Sequence, residues 1–246
     1  MDLALAAAVL AASGAVPRRA VDRLVLLGEL GLDGTVRAIR GVLPAVLAAA
    51  RAGHRQVVVS AANADEAALV DSIEVLPATT LAQVVAHLAG KALLTRYVRG
   101  PLPAAPPAPD LGDVVGQAAG RRAVEVAAAG GHHLFLTGPP GAGKTMLAER
   151  LPGLLPPLDE QAALEVTAIH SIAGALPPGA PLVTRSPFEA PHHSATMASL
   201  IGGGSGQIRP GALCRAHRGV LFLDESSDRK CPHDDSDRWH AGMPGG

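Results

Sequence analysis

The chain has 246 residues, and its 21 Lys and Arg nearly balance its 22 Asp and Glu, which gives a formal net charge of -1. This length allows one large or two modest domains, and a hydrophobic content of 48% is enough to form cores. The balanced charge gives no general signal for a nucleic-acid or membrane partner, although a local basic surface stays open. The two cysteines, Cys214 and Cys231, have neither disulfide nor zinc-site spacing, so a reducing cytoplasm is expected.

The first hundred residues predict an α/β unit with mixed strands. Residues 2–13 are apolar on nearly all sides, which predicts a buried helix that is too short to span a bilayer. Two strand-like runs follow, and the Asp33-Gly34 pair between them is typical of a hairpin turn. The later predicted elements are a helix over 44–52, a strand over 56–60, a short helix over 65–70, a strand over 73–77 and a helix over 80–88 that Thr79 or Thr80 can cap.

A proline-rich stretch marks a boundary after this unit. Residues 100–109 contain five prolines, which exclude helix and strand pairing and favour an extended linker. The segment 110–117 then leads into a predicted helix over 118–129. The sequence therefore divides into two structural units.

The clearest motif is a glycine-rich loop in the second unit. The apolar run 134–136 predicts a strand, residues 146–151 predict a helix, and the spacing between them fits a phosphate-binding P-loop. In such a loop the Lys144 ammonium reaches the β- and γ-phosphates and the Thr145 hydroxyl can bind Mg²⁺. The predicted nucleotide-binding set is Gly138, Pro139, Pro140, Gly141, Ala142, Gly143, Lys144, Thr145 and Met146, and Lys144 is also a predicted catalytic residue. The alternative is a strand–turn–helix connection with fortuitous glycines.

A second candidate site lies at the end of the apolar run 220–225. The pattern predicts a strand whose Asp224 holds Mg²⁺ and whose Glu225 polarises an attacking water. The alternative is a buried strand that is capped by acidic residues. Between the two motifs, the sequence predicts a helix from residue 159 to 170 and a flexible hairpin tip at residues 202–204.

Two groups of residues that contain histidines are candidate metal ligands. His192 and His193 are adjacent, so their side chains are expected to point in different directions, and no carboxylate or cysteine lies at ligand spacing. We expect one of them to be structural and the other to face a neighbouring subunit or a substrate channel. Residues 226–246 have no periodicity and are expected to be disordered, and their Cys231, His233 and His240 fit no zinc pattern.

Several blocks of the second unit, in order, resemble the magnesium-chelatase-like AAA+ family of the YifB/ComM type. The blocks are Pro187-Phe188-x-Ala190-Pro191-His192-His193-Ser194, Ile201-Gly202-Gly203-Gly204, Arg209-Pro210-Gly211 and the run from Ala216 to Glu225. The resemblance implies ATP and Mg²⁺ as cofactors and a ring-forming, hexameric ATPase that acts on DNA, a protein or a porphyrin. The segment before the predicted helix over 118–129 is similar to the adenine side of AAA+ proteins, which implicates Val115, Gly116 and Gln117.

The first unit resembles the C-terminal half of a Lon-protease-type domain, a fold of the ribosomal S5-like kind. The resemblance rests on Gly28-Glu29, Gly34-x-Val36, Gly41 and Gly53-x-x-x-Val57. Lon has a catalytic lysine and serine where this sequence has Val42-Leu43-Pro44 and Asp2-Leu3, so a Ser-Lys peptidase is disfavoured. The expected domain map is a half-domain over 1–92, a linker over 93–110, an AAA+ core with a parallel sheet over 111–225 and a tail over 226–246.

The same resemblance predicts a chain that is truncated at both ends. The Lon-type fold needs elements upstream of residue 2, and AAA+ proteins place their sensor, arginine finger and lid after the position of Glu225. Nucleotide binding is therefore better supported than hydrolysis, and a non-functional fragment is the alternative. Arg209, Arg215 and Arg218 precede the acidic pair and are not expected to act as arginine fingers.

Overall fold

The first half of the chain alternates helices with short strands. The structure is a computed structural model that describes residues 2–103, 107–176, 181–203 and 209–224. In chain order, the N-terminal unit (residues 2–99) contains α1 (Leu3–Ala12), α2 (Arg18–Val21), β1 (Val25–Leu27), β2 (Glu29–Leu30), β3 (Val36–Arg37), α3 (Val42–Arg51), β4 (Gln56–Ser60), α4 (Ala64–Ala67), β5 (Glu74–Ala78) and α5 (Leu81–Leu88). The unit is mixed α/β, as predicted, and α4 is shorter than the helix expected over 65–70.

A three-stranded parallel sheet lies at the centre of this unit. Its order is β1-β4-β5, and Val57 of the central strand lies opposite Val25 on one side and Val75 on the other. Val57, Val58 and Val59 are all fully buried. A continuous run of branched apolar residues is what a strand covered on both faces requires.

The alternation of side chains along β4 separates two hydrophobic clusters. Val57 and Val59 pack with α3 and α4 on one face, whereas Val58 packs with α1 and α5 on the other. Each face of the sheet is therefore covered by its own pair of helices.

Local sequence signals specify the turn and the last helix of the unit. β2 and β3 form an antiparallel hairpin in which Leu30 lies opposite Val36. In its turn the Asp33 carboxylate accepts hydrogen bonds from the Thr35 amide at 3.1 Å and the Thr35 hydroxyl at 2.7 Å. Thr80 caps α5 in a capping box with Gln83. The predicted hairpin and the predicted cap at Thr80 are both confirmed.

The first helix departs from expectation in its burial. Leu3, Ala6 and Ala7 are buried, but Leu5 and Val9 are 58% and 59% exposed. Only one side of α1 lies against the sheet, and the described parts of the chain leave its other side uncovered. The prediction of a helix buried on all sides was therefore wrong.

The second unit contains more helix and less sheet. Its elements are α6 (Ala118–Gly130), α7 (Lys144–Ala148), α8 (Leu151–Leu154), α9 (Glu160–Ala173), β6 (Phe188–Glu189), α10 (Met197–Ile201), β7 (Gly202–Gly203), β8 (Arg209–Pro210), α11 (Ala212–Arg215) and β9 (Val220–Leu221). β6 pairs with β9 in parallel, and β7 pairs with β8 in antiparallel orientation. Of the flexible tip predicted at residues 202–204, Gly202 and Gly203 are instead paired in β7, and Gly204 lies outside the described residues. No helix in the described ranges is long and apolar enough to cross a membrane.

The strand predicted before the glycine-rich loop is not formed. Residues 134–136 carry no strand assignment, and the Phe135 side chain is 82% exposed. A strand needs a neighbour for its backbone hydrogen bonds, and no described segment pairs with this one. Apolar composition alone did not determine the pairing.

Helix α9 joins the second unit to the first. It packs on α3, with Leu164 and Ala168 against the core cluster of the N-terminal unit. The Ser171 hydroxyl donates to the buried carboxylate of Glu66, which also accepts from the Leu43 amide at 2.9 Å. The two units therefore share an apolar contact and a buried hydrogen bond.

Candidate functional site

The loop between Leu136 and α7 depends on its glycines. Gly141 and Gly143 have φ angles of 80° and 78°, and Gly138 has a φ angle of 158°. Residues with a Cβ atom adopt such positive angles only at a cost in energy, whereas glycine adopts them freely. The spacing of the glycines in the sequence thus has a conformational cause.

Lys144 begins α7 and folds back over this loop. Its ammonium group donates to the carbonyl oxygens of Gly138 at 2.8 Å and Pro139 at 3.2 Å. A phosphate oxygen is a stronger acceptor for an ammonium group than a carbonyl is, because the hydrogen bond is charge-assisted at both ends. Lys144 is therefore placed where it can exchange these carbonyl contacts for an anion.

A cavity of about 350 Å³ lies beside the loop. Its lining residues are Gln117, Ala118, Ala119, Gly120, Leu136, Thr137, Ala142, Lys144 and Leu147. The cavity therefore brings the lysine and part of the loop together with Gln117, one of the predicted adenine-side residues. Val115 is 94% exposed, and neither it nor Gly116 is among the described residues that line the cavity.

The Gln117 side chain lies directly over the end of the loop. A Cβ atom built on Gly143 would come within 2.6 Å of the Gln117 amide nitrogen, so the amide lies where a side chain at Gly143 would be. Gly116 and Gln117 both have positive φ angles, 74° and 48°. For a residue other than glycine this conformation costs roughly 1–2 kcal/mol. This contact could not be predicted from the sequence, because it joins two segments that only the fold brings together.

A small hydrophobic cluster packs against the residues that flank the loop. It contains Leu111, Val114, Val124 and Leu147, and Leu134, Leu136, Met146 and Leu151 pack against it. Arg150 joins the two edges of this cluster, because its side chain donates to the Asp110 carbonyl at 3.0 Å and to the Met146 carbonyl at 2.8 Å. Arg150 was not among the predicted site residues, and its role depends on two backbone carbonyls that carry no sequence signature.

The second predicted motif is only partly described. Strand β9 ends at Leu221, so it is shorter than predicted, and the Phe222 amide continues the pairing by donating to the Glu189 carbonyl at 2.9 Å. Asp224 follows in a turn and is not among the described residues that line the cavity at Lys144. Glu225 lies outside the described residues.

Two arginines before this strand, Arg215 and Arg218, are held by glutamates of the same chain. Arg215 makes two hydrogen bonds to the Glu189 carboxylate, at 3.0 and 2.7 Å, and this carboxylate raises the pKa of Arg215. Arg218 donates to Glu165 at 2.8 Å. Arg218, followed by Gln161, lowers the pKa of Glu165 below its ordinary value of 4.5. Both arginines therefore have acidic partners within the chain.

The rings of His192 and His193 lie together. Their centroids are 3.9 Å apart, and the ring planes are inclined by 37°. The expectation that the two side chains point in different directions was wrong, because residues 192–195 form a turn in which the Ala195 amide donates to the His192 carbonyl at 2.8 Å. His192 Nδ1 also lies 2.7 Å from the Ser194 hydroxyl oxygen. Among the described residues no group of three or more His, Cys, Asp or Glu side chains could hold a metal ion, and Cys231, His233 and His240 lie outside them.

The glycine-lysine loop on a mixed α/β scaffold is consistent with a P-loop-type α/β protein. Residues 110–235 match the sequence model of the family described as magnesium chelatase, subunit ChlI. Residues 1–63 match a second model, described as subunit ChlI of Mg-chelatase. The chain therefore belongs to the magnesium-chelatase-like family that includes YifB and ComM, as its sequence blocks predicted.

Similar proteins come from several bacteria. The chain is 59% identical over 227 residues to an uncharacterized protein of Mycobacterium tuberculosis, and this match covers 92% of this chain and 45% of that protein. It is 43% identical over 224 residues to YifB of Salmonella typhimurium, covering 91% of this chain and 44% of YifB. It is 40% identical over 229 residues to the competence protein ComM of Haemophilus influenzae, again with coverage of 91% and 44%. The chain thus spans about half the length of these relatives.

Proposed function

We propose that this chain carries the Mg-ATP-binding module of a magnesium-chelatase-like AAA+ ATPase of the ComM type. The observation that supports this most directly is the placement of Lys144. Its ammonium group donates to the Gly138 carbonyl at the start of the glycine-rich loop, and its side chain lines a cavity of about 350 Å³. In this proposal residues 111–225 form the nucleotide-binding core, and residues 93–110 are the linker before it, whose first part packs on the N-terminal unit through Leu94 and Tyr97. Residues 1–92 form a Lon-type half-domain without catalytic residues, and the setting is the cytoplasm.

The donor groups of the loop suit a nucleoside triphosphate. The loop from Gly138 to Met146 would hold the phosphates, with Lys144 as the charged donor. The Thr145 hydroxyl and the Asp224 carboxylate are oxygen ligands of the kind that Mg²⁺ prefers, and the bound ion would neutralise phosphate charge. Glu225 is the proposed water-polarising residue, and Val115 and Gly116 are the proposed adenine side.

Titration with a fluorescent ATP analogue in the presence of Mg²⁺ tests the proposal. We expect the chain to bind, and we expect Lys144→Ala to weaken binding by roughly tenfold or more, because a charge-assisted hydrogen bond is lost. Lys91→Ala is the matched control, since Lys91 is an exposed lysine just after α5 in the N-terminal unit. Equal affinity in all three proteins, or no binding by the unaltered chain, contradicts the proposal.

The alternative to a working ATPase is a non-functional fragment that binds ATP but does not hydrolyse it. Arg215 and Arg218 are engaged by Glu189 and Glu165, so these arginines do not supply a free guanidinium to a transferring phosphate. Release of inorganic phosphate distinguishes the two cases. Turnover that Lys144→Ala abolishes supports a working ATPase, and binding with no phosphate release supports the fragment.

A Lon-like peptidase is disfavoured by the N-terminal unit. Val42 and Leu43, at the position where Lon has its lysine, are fully buried, and the Leu43 amide donates to Glu66. A hexameric ring and action on DNA are the partner proposals that follow from the family. Size-exclusion chromatography with and without ATP, and a mobility-shift assay with branched DNA, test these two proposals separately.

A further inference from the structure

The position of Gln117 assigns it a different task from the one that sequence similarity suggests. We infer, on the basis of the proposed function, that Gln117 is a positioning residue of the phosphate loop and does not read the adenine base. Its side chain would hold the junction of Gly143 and Lys144 against the first turn of α6. Its ligand class is the polyphosphate chain of a nucleotide, whatever the base.

The contacts of the amide group support this role. Its nitrogen lies 2.6 Å from the position of a Cβ atom on Gly143, and its oxygen lies 3.6 Å from the corresponding position on Gly120. The Gln117 side chain therefore lies between a glycine of α6 and the last glycine of the loop. A larger residue at Gly143 would displace the amide.

The backbone at Gln117 indicates that this placement is specific. Gln117 immediately precedes α6 with a left-handed φ angle of 48°, and its side chain makes no hydrogen bond that caps the described helix. Neither helix capping nor backbone preference explains a glutamine here, because asparagine, aspartate, serine and glycine suit such positions better. A residue that is held in an unfavourable backbone conformation calls for a tertiary or functional reason. Its contact with Gly143 provides one.

The neighbours of Gln117 in the cavity indicate the phosphate end of a nucleotide. Gln117 lines the cavity together with Thr137, Ala142 and Lys144, which belong to the loop or adjoin it. Val115, from the same predicted adenine-side segment, is instead 94% exposed. The amide of Gln117 provides two N–H donors, which suit either the loop backbone or a phosphate oxygen.

Competition binding separates the two roles. Inorganic tripolyphosphate, ADP and GDP are each used to displace a fluorescent nucleotide from the unaltered chain, Gln117→Gly, Gln117→Asn and Gln161→Asn. Glycine and asparagine both tolerate the left-handed backbone, so either change removes or shortens the side chain without adding strain. Gln161→Asn is the control, because Gln161 lies on α9 and pairs with Glu165.

We expect Gln117→Gly to weaken all three competitors by a similar factor of roughly fivefold, because all three bind the phosphate loop and would have to order it without the Gln117 contact. The Asn variant should behave in the same way, because its amide is one methylene shorter, and the Gln161 control should not change. A loss confined to ADP, with tripolyphosphate unaffected, overturns the inference and returns Gln117 to the adenine side. Unchanged affinities for all three competitors also overturn it.

A second measurement needs no ligand, so it separates this inference from the proposed function. Hydrogen exchange of the loop amides, residues 138–147, is compared in the ligand-free chain, Gln117→Gly and Gln161→Asn. Faster exchange in this loop for the Gln117 variant alone supports the positioning role, even where nucleotide binding itself fails. Equal exchange in all three chains contradicts it.

Discussion

The buried carboxylate of Glu66 accepts a hydrogen bond from the hydroxyl of Ser171, a residue that is 105 positions away in the sequence. Glu66 is 9% exposed and Ser171 is 4% exposed. The same carboxylate oxygen accepts from the Leu43 amide at the start of α3. One oxygen atom therefore joins a helix of the N-terminal unit to α9.

Removing the Ser171 hydroxyl should destabilise the chain. Ser171→Ala leaves the Glu66 carboxylate with one fewer donor in a buried site, which typically costs about 1–3 kcal/mol in the free energy of unfolding. Urea denaturation followed by circular dichroism measures this difference. Ser72→Ala is the control, because Ser72 is exposed, and such surface changes usually stay within about 0.5 kcal/mol. Equal stability of the two variants would show that the Glu66 contact contributes nothing.

Replacing Gly143 tests the loop contact with Gln117 from the other side. Gly143→Ala must adopt a φ angle near 78° and must also displace the Gln117 amide. Gly14→Ala has almost the same backbone angle, 79°, with no atom within 4 Å of the new Cβ. Both variants should lose roughly 1–2 kcal/mol of stability from the backbone term. Only Gly143→Ala should lose nucleotide affinity, and an equal affinity loss in both would contradict the local explanation.

Asp224 should support ATP binding only through Mg²⁺. Asp224→Asn removes the charge of a proposed ligand while keeping an oxygen atom, so ATP affinity measured in excess chelator should not fall. The increase in affinity on adding Mg²⁺ should be smaller in the variant. Isothermal titration calorimetry at several Mg²⁺ concentrations measures both quantities. Asp22→Asn in the N-terminal unit is the control, and an unchanged Mg²⁺ effect in Asp224→Asn would exclude Asp224 as a ligand.

The pairing of Glu165 with Arg218 predicts a dependence of stability on pH. Because Arg218 lowers the pKa of Glu165 in the folded chain, the pair stabilises the fold above the ordinary value of 4.5 and loses this effect as the pH falls through the lowered pKa. The unfolding free energy of Glu165→Gln should therefore fall less steeply with acid below pH 4.5. Arg218→Gln should flatten the acid profile only in part, because Gln161 and His217 also lower the pKa of Glu165, and the double variant should match Glu165→Gln. Parallel profiles for all the variants would mean that the two side chains do not interact in solution.

The sequence predicted the features that depend on near neighbours. Asp33-Gly34 specified the hairpin, Thr80 capped α5, and the apolar run within 56–60 predicted strand β4. Each of these signals lies within a few residues of the structure it determines. Local patterns also carried the family assignment, since its blocks are short runs of adjacent residues.

Features that depend on residues far apart in the sequence could not be predicted from local patterns. Residues 134–136 have the composition of a strand, but strand formation requires a paired neighbour, and composition does not specify one. The outer side of α1 is as apolar as its inner side, so the sequence could not show which side is covered. The contacts of Gln117 with Gly143 and of Glu66 with Ser171 arise only when separate segments pack together.

Helix α9 limits how the chain can be divided experimentally. One side of it packs on α3 through Leu164 and Ala168, while His170 Nε2 lies 3.0 Å from the Arg215 carbonyl oxygen in the segment that leads to β9. Cutting at the proline-rich stretch would expose this apolar side to water and leave the Ser171 hydroxyl without its acceptor. The second unit produced without residues 2–99 should therefore aggregate or unfold, and assays of nucleotide binding need both units in one polypeptide.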